Sequence, residues 1–150
     1  VNGIGTDHAL SSLVKRRRRS DCPVHFALSV VGDPWMLLIV RDLMFKRRAT
    51  YTDFLHAEEG IATNILANRL ARLEAEGIVL RDPRSGCYQL TEKGIALMPI
   101  LLEMMVWSAT FDPDTAASSA FIQRIRSDRD GLIADLSQSL RSPIAKETSP

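Results

Sequence analysis

Residues 50–76 are the most informative part of this 150-residue chain, because they contain two helical patterns joined by a short turn. Thr50 and Asp53 have the spacing of a capping box, in which each side chain bonds the backbone of the other. This first pattern ends at Gly60, and a second helical pattern covers residues 63–76. Two helices joined by a glycine-containing turn form a unit that can enter a DNA groove.

The second helical pattern has an apolar side and a polar side. Leu66, Leu70 and Leu73 share the apolar side at spacings of three and four residues, which predicts that they are buried together. The opposite side then faces solvent, where amide, guanidinium and methyl groups can contact base edges or phosphates. It carries Thr63, Asn64, Ala67, Asn68 and Arg72. We expect these five residues to bind DNA, and the alternative is an ordinary solvated helix face.

A β-hairpin is predicted after these helices. Residues 78–81 and 87–90 are short runs of β-branched, aromatic and leucine residues, and a turn-forming linker of Asp, Pro, Ser and Gly separates them. Arg84 lies at the hairpin tip and Lys93 follows the second strand. We expect both side chains to bind phosphate, and Arg81 is a further candidate.

Other polar and basic residues could also contact phosphate. Thr50 and Thr52 lie at a helix N-terminus, where free N–H groups attract anions, although Thr50 could equally serve as a cap alone. The first 20 residues contain five of the 19 basic residues, consecutive at positions 15–19, and one acidic residue. Such a run suits a polyanion partner, and an idle solvated tail is the alternative.

Further helical patterns lie on both sides of this unit. Proline at a first helical position predicts helices beginning at Pro23 and Pro34. After Thr91 as cap, a long amphipathic pattern starts at Glu92, and Pro99 inside it predicts a kink or a local break.

The C-terminal part contains two weaker helical patterns, 121–129 and 132–140, which we expect to join at Asp130-Gly131. Their apolar residues are too few for an independent core and must pack on other elements. The expected organisation is a flexible basic arm over 1–20, a DNA-binding and dimerisation domain over 21–110, a helical extension over 111–141 and a tail over 142–150.

Composition excludes several classes of protein. With 45% hydrophobic residues the chain can bury a core without disulfides, and two cysteines cannot form a disulfide framework. Pro99 and Glu103 interrupt the long apolar stretch, which leaves runs shorter than the ~20 residues of a membrane span. Residues 1–13 show no secretory signal. We therefore expect a cytoplasmic protein without a membrane partner.

The predicted order of helix, helix, helix, hairpin and helix is that of a winged helix-turn-helix, a mostly α fold with a small β-hairpin (α+β). Over roughly residues 21–107 the chain also resembles the HxlR family of bacterial transcription regulators. The motifs occur in the family's order at compatible spacing. They are Cys22-Pro23-Val24, GDPWMLLIVRDL at 32–43, GIATNILANRL at 60–70, Leu73-Glu74, Gly77-Ile78-Val79 and YQLTEKG at 88–94.

This resemblance implies a homodimer that binds double-stranded DNA and regulates transcription. Much of the dimer interface would come from the long helix after the wing and from the N-terminal segment. A two-fold dimer presents two reading helices, so the operator should be an inverted repeat with half-sites about one helical turn apart or a multiple of it. A winged-helix module that binds proteins, without sequence-specific DNA binding, is the alternative.

Cys22 is a candidate sensor of oxidants or electrophiles. It lies at a predicted helix N-terminus, close in sequence to five basic residues, a setting that increases thiol reactivity. Some members of the family resembled use a cysteine at this position for sensing, which implies an oxidant or small-molecule effector. The alternative is a small packing residue, and we expect Cys87 to lie in a strand within the core.

Enzymatic activity is not expected from this sequence. It lacks a plausible Cys-His-acid arrangement, a Cys-x-x-Cys pair and a glycine-rich phosphate loop. Cys22 and His25 are three residues apart, but no second close pair supports a metal site with them. His8, His56 and Cys87 are isolated in sequence. We therefore expect neither a metal nor another cofactor.

Overall fold

The computed structural model describes residues 19–142 of the chain, and these divide into two units, the first ending at Asp33 and the second beginning at Pro34. Most of the predicted arm and tail therefore lies outside the described residues. The described part of the first unit contains helix α1 (Pro23–Val31), with Cys22 at its N-cap and proline in its first turn, as predicted.

The second unit contains seven helices and one β-hairpin within residues 34–142. In chain order they are α2 (Pro34–Phe45), α3 (Tyr51–Leu55), α4 (Thr63–Ala75), β1 (Val79–Arg81), β2 (Tyr88–Leu90), α5 (Glu92–Ile95), α6 (Met98–Phe111), α7 (Ser119–Ser127) and α8 (Arg129–Arg141). This order confirms the predicted winged helix-turn-helix, mostly α with a small hairpin.

The start of α3 is held by the predicted capping box. The Thr50 hydroxyl accepts from the Asp53 N–H (3.1 Å), and the Asp53 carboxylate accepts from the N–H groups of Thr50 (2.9 Å) and Ala49 (3.1 Å). Hydrogen bonding of the Asp53 carboxylate, first with the Thr50 side chain and then with the N–H groups of Thr50 and Ala49, lowers the pKa of Asp53, because it favours the ionised form. The cap therefore fixes where the helix-turn-helix begins.

Helix α4 packs its leucine side against α2 and α3. Leu66, Leu70 and Leu73 are buried, as predicted, and the Tyr51 hydroxyl donates to the Thr63 carbonyl oxygen (3.0 Å) at the start of α4. Gly77 follows the helix with φ +68°, a left-handed conformation that glycine adopts without strain. Burial of three leucines thus determines which side of α4 faces outward.

Strands β1 and β2 form an antiparallel hairpin that is anchored to the helix-turn-helix. Its register pairs Val79 with Leu90, Leu80 with Gln89 and Arg81 with Tyr88. The Tyr88 N–H also donates to the Ala49 carbonyl oxygen (2.7 Å) in the loop before α3. The expectation for Cys87 was wrong, because this residue precedes β2 and is half-buried.

The long helical pattern after the wing is broken, as Pro99 predicted. Helix α5 ends at Ile95, and α6 begins at Met98 with Pro99 in its first turn, where the missing N–H leaves no internal hydrogen bond unmade. By length and composition alone, residues 92–111 are apolar enough to cross a membrane, a test that the core helix of a soluble protein also passes.

Helices α7 and α8 join two residues earlier than predicted. The expected junction at Asp130-Gly131 was wrong, because the Asp128 carboxylate accepts from the Gly131 N–H (3.2 Å) and starts α8 at Arg129. Helix α7 packs against α6, and the Phe121 ring meets the edge of Phe45 at the end of α2. The extension therefore packs on other elements, as predicted.

Candidate nucleic-acid interface

Helix α4 presents a row of small and polar side chains to solvent. The row consists of Thr63, Asn64, Ala67 and Asn68, all exposed, and we call it the polar stripe. The Asn68 side-chain oxygen accepts from Arg69 Nη1 (2.7 Å), which orients the amide. The described structure thus leaves open the surface that the sequence analysis assigned to DNA.

Arg72 occupies a different position from the other four predicted residues of α4. It is half-buried, because at 100° per residue it lies between the leucine side and the polar stripe. Ala71 and Ala75 are exposed and extend the polar stripe toward the C-terminus, and the sequence analysis missed them. Their spacing of four and eight residues from Ala67 was a signal that could have identified them.

The predicted wing residues differ in their surroundings. Arg84 is exposed in the hairpin turn, and its N–H donates to Asp82 Oδ1 (3.0 Å). The Arg81 guanidinium lies over the Tyr88 ring, 5.8 Å from its centroid. Arg84 therefore lies at the tip of the wing, and Arg81 is held against Tyr88 in the strand pair next to the turn.

Lys93 and the two threonines at the start of α3 are the other residues predicted to bind phosphate. Lys93 Nζ donates to the Glu76 carbonyl oxygen (2.6 Å) and so satisfies the C-terminal end of α4. Thr50 serves as a cap, because its N–H and its hydroxyl both bond Asp53. Thr52 is exposed beside it.

A network of ion pairs joins the turn between α3 and α4 to α2. Asp42 is 2% exposed, and its carboxylate accepts from Arg41 Nε (2.8 Å) and Arg48 Nη1 (3.2 Å). Arg48 also pairs with Glu58 (2.7 Å), and Arg41 pairs with Glu59, both in that turn. The network therefore fixes the turn of the helix-turn-helix to α2.

The electrostatics of the network follow from these contacts. Hydrogen bonds from Arg48 and Arg41 lower the pKa of Glu58 and Glu59 respectively, because they stabilise the carboxylates. The sequence analysis missed the network, since its partners are up to 18 residues apart and no local pattern signals them.

A second exposed surface lies on α6. It consists of Ile100, Met104, Trp107 and Phe111, which are 43%, 48%, 66% and 70% exposed, and we call it the apolar stripe. Their spacings of four, three and four residues place them on one side of the helix. The Trp107 and Phe111 rings are 5.4 Å apart. A contiguous exposed apolar surface of this kind is typical of a protein-protein interface.

The cysteines occupy separate surroundings. Cys22 is exposed at the start of α1, and Cys87 is half-buried before β2. Within residues 19–142, no group of three or more His, Cys, Asp or Glu side chains could hold a metal ion.

A three-helix unit with an outward-facing α4, followed by a β-hairpin, defines a winged helix-turn-helix protein. The chain belongs to the HxlR-like helix-turn-helix family, which matches residues 30–115. It is therefore a transcription regulator by family, and the family is not an enzyme family.

Individual relatives agree with this assignment. The chain is 34% identical over 94 residues to the HTH-type transcriptional regulator YybR of Bacillus subtilis, covering 59% of this chain and 74% of YybR. It is 37% identical over 98 residues to the regulator YodB of the same organism, covering 60% and 85% of the two chains.

Solved structures of relatives share the fold. Quinone-bound YodB superposes with a TM-score of 0.52 at 35% identity, covering 60% of this chain and all of YodB. The redox regulator HypR in its oxidised form gives a TM-score of 0.53 at 33% identity, covering 59% and 96% of the two chains.

Proposed function

We propose that this protein is a sequence-specific DNA-binding regulator that acts as a homodimer on an inverted-repeat operator. The observation that carries the proposal is the exposed polar stripe on α4, opposite three buried leucines, in a chain of a transcription-regulator family. Amides at Asn64 and Asn68 can each make two hydrogen bonds to adenine, and the Ala67 methyl can meet the methyl group of thymine.

Positively charged and hydroxyl groups around the polar stripe would bind the DNA backbone. Arg84 at the wing tip is the best placed of them, because it is exposed. Arg72, Lys93, Thr52 and Thr63 would add phosphate contacts from the edges of α4, the base of the wing and the start of α3. The basic run at 15–19 lies mostly outside the described residues and would add a salt-dependent contribution.

The apolar stripe on α6 supports the homodimer. Four large apolar side chains in a row are costly to leave in water, and a second copy of the same helix can cover them symmetrically. A two-fold axis beside α6 would present two α4 helices to one face of the duplex.

Replacing Asn68 by alanine tests the reading helix. We expect a loss of affinity for the selected operator of roughly 5- to 150-fold and a changed preference at one base pair, because a bidentate amide-adenine pair is worth about 1–3 kcal/mol. The operator is first obtained by selecting bound sequences from a random DNA pool. Affinities of wild type and variant are then compared at one salt concentration.

Gln123→Ala provides the matched control, since this exposed amide lies on α7, away from the polar stripe. It should bind the operator as wild type does. If the pool yields no enriched sequence, the protein is a winged-helix interaction module instead. If a sequence is enriched and Asn68→Ala binds it unchanged, the placement of α4 in the groove is wrong.

Cys22 would make this regulator responsive to oxidants or electrophiles. Its exposed position at the start of α1 leaves the thiol accessible, and the relatives include a redox regulator and a quinone-bound structure. Treatment with a quinone should therefore change operator affinity at least about threefold in wild type but not in Cys22→Ser. Cys87→Ser should respond as wild type does. An unchanged response in Cys22→Ser would contradict the sensing role.

A further inference from the structure

Helix α8 lies beyond the residues that the family matches, and its first residue is tied to α6. Arg129 Nη2 donates to the Pro99 carbonyl oxygen (3.2 Å), and the same guanidinium pairs with Glu103. Both partners lie in the first half of α6, the helix that carries the apolar stripe. One end of α8 is therefore fixed to the proposed dimerisation helix.

The last turn of α8 is tied to two other parts of the second unit. Arg141 Nε and Nη2 donate to Glu92 Oε1 (2.7 Å) and Oε2 (2.8 Å), a bidentate pair at the first residue of α5. Arg47 Nη2 donates to the Ser139 carbonyl oxygen (3.1 Å) and contacts its hydroxyl. Arg47 lies in the loop before α3.

Glu92 and Arg47, the two partners of the last turn of α8, lie on either side of the DNA-binding elements in the sequence. The helix-turn-helix and the wing occupy residues 50–91, which we call the HTH-wing segment. Arg47 precedes the segment by three residues, and Glu92 follows it directly. The last turn of α8 thus bonds both flanks, while its first residue bonds α6. A helix of this length spans about 20 Å between those ends.

The backbone of Arg47 is fixed at the end of α2, which sets where its side chain starts. Its φ is +54°, in the left-handed region that is costly for a residue with a side chain. Such a conformation persists where the surroundings hold it. Here the surroundings are the C-terminal end of α2, where the Arg48 N–H donates back to the Asp42 carbonyl oxygen (3.1 Å) around Arg47.

We propose that α8 is a strut that fixes the HTH-wing segment relative to α6, with Arg141, Glu92 and Arg47 as positioning residues for operator spacing. The proposal rests on the proposed function, since spacing has meaning only for a dimer on an inverted repeat. In such a dimer the distance between the two α4 helices depends on how firmly each segment is held to α6. A loosened segment would accept half-sites at the wrong separation.

The test compares affinity for the selected operator with affinity for the same operator carrying one extra central base pair. That insertion moves one half-site by about 3.4 Å and rotates it by about 35°. The ratio of the two affinities measures spacing discrimination. A residue that only stabilised the fold would change the melting temperature and leave this ratio unchanged.

Two single variants break the same ion pair with opposite changes in charge. Arg141→Gln removes a positive charge and Glu92→Gln removes a negative one. A general electrostatic effect would therefore change DNA affinity in opposite directions in the two variants. A strut predicts that both lower the spacing ratio, about two- to fivefold for an exposed pair. Combining Arg141→Gln with Arg47→Asn, which tolerates positive φ, should lower it further.

The control and the rescue complete the experiment. Arg124→Gln breaks a comparably exposed ion pair, Arg124 with Asp135, which joins α7 to α8 alone and should leave the ratio unchanged. The charge-reversed double variant Glu92→Arg with Arg141→Glu should restore it. If wild type selects no operator, the proposed function fails. If wild type discriminates spacing and both single variants keep the full ratio, the strut is overturned.

Discussion

Replacing Trp107 by glutamate should convert the protein to a monomer and lower operator affinity at least about 100-fold. The indole is 66% exposed in the isolated chain, so the substitution removes little from the core of the protomer. In a dimer, however, the two-fold axis would bury two carboxylates in the apolar stripe, at a cost of several kcal/mol each. A monomer contacts one half-site and loses most of the specific binding energy.

Light scattering after size-exclusion chromatography measures the mass, and a titration with labelled operator measures the affinity. Gln123→Glu is the charge-matched control, because it adds the same charge at an exposed position on α7. It should remain dimeric and bind the operator within about twofold of wild type. A dimeric Trp107→Glu variant with wild-type affinity would show that the apolar stripe is not the dimer interface.

Replacing Asp42 by alanine should lower the free energy of unfolding by about 3–5 kcal/mol. The Asp42 carboxylate is buried and bonds both Arg41 and Arg48. Removing one partner of a buried ion pair leaves partly desolvated charge without compensation, and this is far more costly than losing an exposed pair. Because the arginines also hold the turn before α4, operator binding should weaken as well.

Urea unfolding at neutral pH measures this loss. Asp135→Ala is the matched control, since its carboxylate pairs with Arg124 but is 65% exposed, and it should cost less than about 1 kcal/mol. Asp42→Asn retains the side-chain shape and should fall between the two. Equal stability of Asp42→Ala and Asp135→Ala would contradict the role of the network.

Acid should weaken the same network in the wild-type protein. Glu58 and Glu59 have pKa values below their ordinary range, so the folded state binds their protons less readily than the unfolded state does. Their contribution is therefore complete above about pH 5 and is lost as the pH falls from there through the folded-state pKa values. Unfolding curves between pH 3 and pH 7 would show this loss.

Local chemistry explains what the sequence could predict about the fold. The Thr50-Asp53 capping box, the prolines at helix starts and the leucine spacing of α4 each act within a few residues. They therefore placed the helices, the hairpin and the break near Pro99. The junction between α7 and α8 was misplaced because two capping signals compete there, and the Asp128 cap prevails over the Asp130-Gly131 pair.

The polar stripe of the candidate site could also be predicted from local spacing. Burial of three leucines in α4 implied which residues form the polar stripe. The Arg48 pair with Glu58, the Lys93 bond to Glu76 and the ties of α8 depend instead on residues 10 to 92 positions apart, which local patterns do not reveal. The sequence predicted the cap at Thr50 but did not decide whether Thr50 also binds phosphate, since a cap and a phosphate ligand have the same sequence signature.

The anchoring of the wing has a consequence for engineering. Three residue pairs and the Tyr88 bond to Ala49 hold the two strands of the hairpin, whereas Asp82 makes hydrogen bonds within the turn over residues 82–87. The tip can therefore be exchanged for loops of other length and charge without disturbing the reading helix. Grafting other loops at the tip would change the preference for bases that flank the half-site, while the preference within the half-site stays the same.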